Sequence, residues 1–248
     1  MALYGNDAAR WSMTERPERA LTTASDHIAI GPSSMTFEGD ALTIDIDERA
    51  VPLPRRIRGQ VRLIPEAVTA GPYAIHPDGR HAWWPVAPVA RIEVDLDAPV
   101  MRWQGHGYFD CNAGDAPLEQ DFARWDWSRH STAHGTVIHY DTEPRGTPAQ
   151  GLALGFDGKG EVTRLEAPPL ADLPATLWRV RRRTRAEAGS TPQVLRRLED
   201  APFYARTLIR SRLYGEDADG VHETLDGDRL RAGWVWPMLP FRMPRTRR

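Results

Sequence analysis

Short segments that alternate apolar and polar residues recur along this chain, with turn signals between them. Residues 35–46 alternate on both sides of Gly39-Asp40, the pattern of a β-hairpin. Further strands are predicted at 57–63, 92–96, 137–140, 152–156, 162–165 and 177–183, with a turn at 157–160 and a short helix at 192–197. Regular strand spacing between turns is typical of β-sandwiches and barrels, so the sequence predicts an all-β fold.

Composition narrows the class of protein. The 248 residues suffice for one large β domain or two small ones, and a net charge of −2 gives no field that attracts nucleic acid. Cys111 is the only cysteine, which excludes an internal disulfide framework and favours a reducing compartment. Residues 1–30 lack the apolar core of a signal peptide, and no apolar run reaches the ~18 residues of a membrane span. We therefore expect a cytoplasmic protein without a nucleic-acid partner.

Acidic and aromatic residues are concentrated in one part of the chain. Residues 105–118 hold Tyr108 and Asp110 among glycines, and His81 and Trp83 lie upstream of them. A carboxylic acid among apolar groups stays protonated because desolvation disfavours its charged form. Aromatic faces attract a cation by ~0.5–2 kcal/mol each. Together these groups suit a site that protonates an apolar molecule and shelters the resulting cation.

The residues alone leave a structural role open for each of these side chains. Asp110 can be a turn residue bonded to backbone amides, and the tryptophans can be barrel core. His81 can be a surface turn residue. His130, His134 and His139 lie in one region, but no HExxH or paired-cysteine motif accompanies them, so we predict no metal site.

A longer pattern in the sequence resembles one family. Residues 105–118 read Gly-x-Gly-Tyr-x-Asp-x-Asn-x-Gly-Asp-x-Pro-Leu, and Trp-x-Trp-x-Arg follows them. This pattern is similar to that of the carotenoid 1,2-hydratases, also called hydroxyneurosporene synthases. Blocks at 40–48, 80–85, 199–206 and 239–245 extend the resemblance across nearly the whole chain.

The resemblance implies a fold and a reaction. The fold is a tandem of lipocalin-like β-barrel domains, residues 1–104 and 105–248, the first incomplete because members of the family carry more sequence upstream. Residues 3–5 are then expected to end a strand. The reaction is cofactor-independent, acid-catalysed addition of water to the terminal C1–C2 double bond of acyclic carotenes such as neurosporene and lycopene. It is a hydro-lyase step of carotenoid biosynthesis.

The resemblance also implies roles for individual residues. The family's catalytic positions fall on His81, Trp83, Tyr108 and Asp110. Asp110 is the expected proton donor, and His81 is expected to orient the acid or the attacking water. We further expect the substrate to contact five aromatic residues, Trp84, Trp125, Trp127, Phe203 and Tyr204. The implied partner is an acyclic carotenoid, and no cofactor or metal is implied.

Two functions of other classes remain open. One is a non-catalytic lipocalin-like protein that binds carotenoids or lipids, and the other is an isoprenoid cyclase or isomerase that uses the same acid. Arginine-rich runs at 179–185 and 242–248 are predicted to be a solvated strand face and a tail. The alternative for these runs is peripheral contact with the anionic surface of the inner or photosynthetic membrane, at roughly 1 kcal/mol per charge.

Overall fold

The computed structural model describes residues 1–5 and 9–246, and β-strands form most of them. The strands are β1 (Ala2–Leu3), β2 (Arg10–Trp11), β3 (Leu21–Thr23), β4 (His27–Ile30), β5 (Ser33–Glu38), β6 (Ala41–Arg49), β7 (Arg56–Pro65), β8 (Tyr73–Ala74), β9 (His81–Ala98), β10 (Val100–Gly114), β11 (Phe122–Thr132), β12 (Gly135–Pro144), β13 (Gln150–Phe156), β14 (Val162–Arg164), β15 (Leu170–Leu173), β16 (Arg182–Arg185), β17 (Gln193–Asp200), β18 (Tyr204–Leu213) and β19 (Glu216–Asp226). Helical turns are short: α1 (Leu118–Asp121), α2 (Gly227–Leu230), α3 (Leu239–Arg242), and 3₁₀ turns at Glu18–Ala20 and Trp236–Met238. The all-β prediction is confirmed at this level.

By their internal contacts the residues form two compact units, neither of them continuous in sequence. The first unit comprises Met1–Glu66, Ala90–Tyr108 and Trp236–Arg248, and the second comprises Ala67–Val89 and Phe109–Val235. Strands β9 and β10 therefore contribute residues to both units. The domain boundary between residues 104 and 105 stays a prediction.

The first unit is built on an antiparallel meander in the order β10-β9-β7-β6-β5-β4-β3. The predicted hairpin is confirmed, because β5 pairs with β6 and Met35 lies opposite Ile44. Gly39 makes its turn with a φ of 61°, a conformation that side chains disfavour. The predicted strands at 57–63 and 92–96 lie within β7 and β9. Their inward residues form an aliphatic core with β6, namely Ile46, Ala50, Ile57, Val61, Val94 and Leu96.

The second unit is built on a seven-stranded antiparallel sheet in the order β14-β13-β12-β11-β19-β18-β17. The predicted turn at 157–160 joins β13 to β14, as expected. Strands β11 and β12 are buried on both faces, and the two faces carry side chains of different chemical character. Trp127 lies opposite Tyr140 on an aromatic face, while Ser128 lies opposite His139 on the other face. That other face is polar, with Asp126, Ser128, His130, His139, His222 and Thr224 all buried.

Two local predictions are wrong. Residues 192–197 do not form a helix, since Gln193–Asp200 is the edge strand β17, paired with β18. Two register shifts interrupt its ladder, and the extra residues give the apolar positions a spacing that imitates a helical period. Residues 177–181 are not a strand either. The amide of Val180 bonds to Thr176 Oγ1 at 3.2 Å, a local turn that competes with strand pairing.

The arginine run at 179–185 is only in part the solvated face that the sequence predicts, because Arg179 and Arg181 are exposed but the arginines of β16 are not. Arg182 is 2% exposed and donates to Thr207 Oγ1 at 2.5 Å. Arg185 forms an ion pair with Asp141. These side chains are engaged in internal contacts because β16 contacts β11 and β19, whose buried faces are polar.

Candidate active site

Asp110 and Trp83 meet within the second unit. The indole Nε1 of Trp83 donates a hydrogen bond to Asp110 Oδ2 at 2.9 Å. Trp83 is fully buried on β9, and Asp110 is half-buried in the middle of β10, the neighbouring strand. Asp110 is therefore not a turn residue, and the structural alternative for it is wrong. Two of the four predicted catalytic residues are in direct contact.

A chain of aromatic rings extends from Trp83. Its indole packs edge-on against Tyr140, with ring centroids 5.4 Å apart, and lies 6.1 Å from Tyr73. Tyr140 in turn packs edge-on against Trp125 at 5.9 Å, and Trp125 lies 6.5 Å from Tyr204. Edge-to-face packing is the arrangement that ring quadrupoles favour. We call these five side chains the ring cluster, and Trp83 joins the ring cluster to Asp110.

Tyr140 is one of two members of the ring cluster, with Tyr73, that the sequence does not single out. It is 6% exposed, and burial raises the pKa of its phenol, with the nearby charges of Asp110 and Glu223 acting in the same direction. The phenol is therefore neutral across the physiological range and can both donate and accept hydrogen bonds. In the sequence it ends an alternating strand segment and resembles ordinary core. The signal that identifies it is its register opposite Trp127, which only the folded sheet reveals.

His81 is paired with a different carboxylate. Its Nε2 lies 2.7 Å from Asp121 Oδ2, and its ring packs edge-on against Phe122 at 4.9 Å. The hydrogen bond from His81 lowers the pKa of Asp121, burial opposes that effect, and the charge of Arg80 adds to it. His81 is only 2% exposed, so it is not a surface turn residue.

Gly114 makes room for the His81 ring. A Cβ atom at position 114 would lie 2.2 Å from His81 Nδ1, far inside contact distance. The glycine of the sequence motif at this position is therefore a packing requirement of the pair between His81 and Asp121.

Tyr108 is two residues before Asp110 on β10 and is half-buried. It is the last residue of that segment of the first unit, whereas Asp110 belongs to the second. Its catalytic role stays a prediction.

The five predicted substrate contacts have different surroundings. Two of them, Trp125 and Tyr204, belong to the ring cluster. Trp127 is buried two residues from Trp125 on β11. Trp84 alternates with Trp83 along β9 and donates from Nε1 to Thr69 Oγ1 at 3.0 Å. Phe203 is half-buried immediately before β18.

Among the cavities of the described residues, two are relevant to the site, one in each unit. The one in the second unit, about 360 Å³, is lined by Ala74, Ile75, Tyr140, Thr142, Gln150, Gly151 and Leu152. The one in the first unit, about 870 Å³, is largely aliphatic, with Ile44, Ile46, Val61, Ile92, Val94 and Met101 in its wall. Arg16 and Glu48, an ion pair at 2.7 Å, also line it. The larger cavity offers apolar volume, and the smaller one adjoins the ring cluster.

The histidines of the central region differ in exposure. His130 and His139 are buried on the polar face, and burial lowers the pKa of each imidazole to about 3. His134 is exposed in the turn between β11 and β12. Within residues 1–5 and 9–246, no group of three or more His, Cys, Asp or Glu side chains is placed to hold a metal ion. In the same residues, no helix is long and apolar enough to cross a membrane.

Comparison with known proteins gives a consistent result. The family model described as carotenoid hydratase CrtC matches residues 1–248. An acyclic carotenoid 1,2-hydratase of Thiocapsa roseopersicina is 50% identical over 99% of this chain and 61% of the relative, and one of Rubrivivax gelatinosus is 44% identical with the same coverage. A third, from Rhodobacter capsulatus, is 42% identical over 99% of this chain and 87% of the relative. The chain thus spans about three fifths of the length of the first two.

A solved structure also shows a partial likeness. The crystal structure of CghA with Sch210972 superposes with a TM-score of 0.48 at 12% identity, over 84% of this chain and 74% of that one. A TM-score below 0.5 does not assign a fold.

Proposed function

Because this chain belongs to the carotenoid hydratase CrtC family, we propose that it catalyses the addition of water to the terminal C1–C2 double bond of an acyclic carotene such as neurosporene or lycopene. It acts as a hydro-lyase without a cofactor. The observation that carries the proposal is the contact between Asp110 and Trp83 inside the ring cluster.

Asp110 is the proposed proton donor. Its proton passes to C2 and leaves a tertiary cation at C1. The hydrogen bond from the Trp83 indole to Oδ2 fixes the orientation of the carboxyl group. After the transfer the indole N–H stabilises the carboxylate, because hydrogen bonds to the charged form favour it.

The aromatic rings are proposed to stabilise the cation. Each ring face contributes ~0.5–2 kcal/mol, so several rings lower the barrier by a few powers of ten. Trp83 and Tyr108 hold this role in the proposal. What supports it for Trp83 is its place beside the acid, and for Tyr108 its position two residues away on the same strand.

His81 is proposed to orient water or the acid from a fixed position. Asp121 and Phe122 hold its ring, and Gly114 leaves space for it. A rigid imidazole of this kind is what proton transfer with defined geometry requires.

A single experiment tests the reaction. The purified protein is incubated with a detergent-dispersed acyclic carotene and the products are separated by chromatography and mass spectrometry. Hydration gives a 1-hydroxy carotenoid. An unchanged carotene or a rearranged hydrocarbon contradicts the proposal.

A carotenoid- or lipid-binding protein without chemistry is the second candidate. The apolar cavity of about 870 Å³ favours it, since cavities of this size and lining bind drug-sized or larger apolar ligands. Tight binding of the carotene without turnover identifies this function.

The finer features of the prediction complete the proposal. We propose a tandem of lipocalin-like domains, residues 1–104 and 105–248, and the antiparallel pairing of strands in the two large sheets supports it. We also propose a cytoplasmic protein that contacts the membrane surface. Of the arginine run 242–248, Arg247 and Arg248 lie outside the described residues. Flotation with anionic and with neutral lipid vesicles tests the contact: binding only to anionic vesicles supports it.

A further inference from the structure

We infer that Tyr140 and Trp125 hold the water molecule that attacks the cation, and that the cavity of about 360 Å³ beside Tyr140 supplies it. The inference rests on the proposed hydration. It assigns to these two residues the delivery of the second substrate, in addition to the orienting role that is proposed for His81.

Tyr140 joins the cavity to the acid. Its ring packs against Trp83, which is hydrogen-bonded to Asp110, and its side chain also lines the cavity. The charge of Asp110 contributes to the raised pKa of the phenol, which reflects their proximity. A neutral hydroxyl in this position can accept a hydrogen bond from water and donate one to it.

Trp125 supplies a free donor next to Tyr140. Its indole Nε1 is buried and has no hydrogen-bond partner among residues 1–5 and 9–246. A buried N–H left without an acceptor costs about 1–3 kcal/mol, so such a group requires water or a ligand. Since the ring of Trp125 packs on that of Tyr140 at 5.9 Å, the two polar tips can serve one water molecule.

The cavity has the size and polarity of a water reservoir. A volume of about 360 Å³ is large enough to hold several water molecules. Thr142, Gln150 and Gly151 give it polar wall groups, and Gln150 is exposed, which opens the cavity to solvent. Apolar cavities stay dry, whereas a polar one with an opening fills with water.

The hydration step balances with Asp110, the held water molecule and Tyr140. The π electrons of C1=C2 take the proton of Asp110 and form a C2–H bond, which leaves a carboxylate and a cation at C1. A lone pair of the held water forms the C1–O bond. The proton lost by that water returns to the carboxylate of Asp110, with the phenol of Tyr140 able to relay it, and the acid is regenerated.

A cation that meets no water loses a proton and reverts to an alkene. Turnover in D₂O therefore separates the two halves of the reaction. Protonation without capture gives a hydrocarbon that carries deuterium when the cation loses a hydrogen other than the deuteron it gained, for example from a methyl group at C1. Protonation followed by capture gives a deuterated alcohol. The ratio of these two products, measured by mass spectrometry, reports on water delivery and not on the acid.

The decisive variants are Tyr140→Phe and Trp125→Phe, compared with Tyr214→Phe as a matched loss of a tyrosine hydroxyl elsewhere in the second unit. We expect the ratio of deuterated hydrocarbon to alcohol to rise about tenfold in the first two, the effect of losing one hydrogen bond to the attacking water. Tyr214→Phe leaves the ratio unchanged. Equal losses of both products, or an unchanged ratio in Tyr140→Phe, overturn the inference.

A further variant keeps the inference testable if Tyr140→Phe or Trp125→Phe fails to fold. Ala74 is exposed and lines the cavity, so Ala74→Trp obstructs the cavity while every side chain of the ring cluster stays unsubstituted. The inference requires this variant also to raise the ratio, and an unchanged ratio overturns the part of it that concerns the cavity. If the parent protein forms neither product, the proposed function itself fails, which is distinct from a parent that hydrates normally while the variants keep its ratio.

Discussion

Trp83 donates a hydrogen bond to Asp110 across two neighbouring strands, so the residue expected to shelter the cation also orients the acid. The two roles are separable by substitution. Phenylalanine at position 83 keeps an aromatic face but loses the N–H, and asparagine at position 110 keeps an acceptor but loses the acidic proton.

Asp110→Asn is expected to keep the fold and to lower hydration by several orders of magnitude, because an amide cannot transfer the proton. The amide oxygen still accepts from the Trp83 indole. Initial rates of alcohol formation give the effect, with thermal unfolding as the check on structure. Asp219→Asn, at an exposed pair with Arg210, serves as the control. Activity within threefold of the parent rules out Asp110 as the donor.

Trp83→Phe is expected to lower kcat far more than it weakens carotene binding, since the lost interactions act when charge develops. The smaller ring leaves space in a fully buried site, so we expect a loss of about 1–3 kcal/mol in unfolding free energy. Tyr108→Phe is expected to show the same kinetic pattern with a smaller loss of stability. Trp178→Phe, at an exposed residue, is the control for general effects of losing an indole. Losses of kcat and affinity in proportion would make these residues binding or packing groups.

Gly114→Ala is expected to destabilise the protein by about 1–3 kcal/mol, because the new Cβ displaces the His81 ring and breaks its hydrogen bond to Asp121. Gly71→Ala is the matched control, since a Cβ there meets nothing within 4 Å. Urea unfolding of the two variants measures the difference. Equal stability would show that the ring moves aside freely.

Stability is expected to fall as the pH is lowered from about 6.5 towards 3. The pKa of buried His130 and of His139 is about 3 in the folded protein, against 6.5 for the free side chain. Between these values the unfolded chain binds more protons, so acid favours unfolding. By pH 5 each histidine is expected to remove about 2 kcal/mol.

Urea unfolding at pH 8 and at pH 5 measures this loss. His130→Gln is expected to reduce the difference between the two pH values, whereas His134→Gln, at an exposed turn, leaves it unchanged. An unfolding free energy independent of pH over this range would contradict the prediction.

The local sequence pattern was sufficient to predict those strands that have one buried face and one solvent-exposed face. The hairpin around Gly39 and the strands at 57–63 and 92–96 follow from alternation alone. It failed at β17, where register shifts disturb the alternation, and at the arginines of β16, where buried partners replace solvent. Neither feature is local, because each depends on which strand or face lies opposite.

The candidate site also contains some residues that the sequence identifies and others that only the folded chain brings together. The motif around Asp110 and the position of Trp83 are visible in the sequence, and the family resemblance relates them. Tyr140 is not visible, because its proximity to Trp83 follows from sheet packing. The partner of His81, Asp121, is 40 residues away in a segment without a distinctive pattern, so only the folded chain joins them.

The interleaving of the two units has a genetic consequence. No contiguous stretch of coding sequence specifies either unit, since the second is encoded by residues 67–89 and 109–235 and the first by the segments around them. A recombination event with one breakpoint therefore always divides the first unit and cannot exchange the second unit alone. Chimeras between relatives keep Trp83 with its native neighbours on β10 and β12 only when both segments of the second unit descend from the same parent.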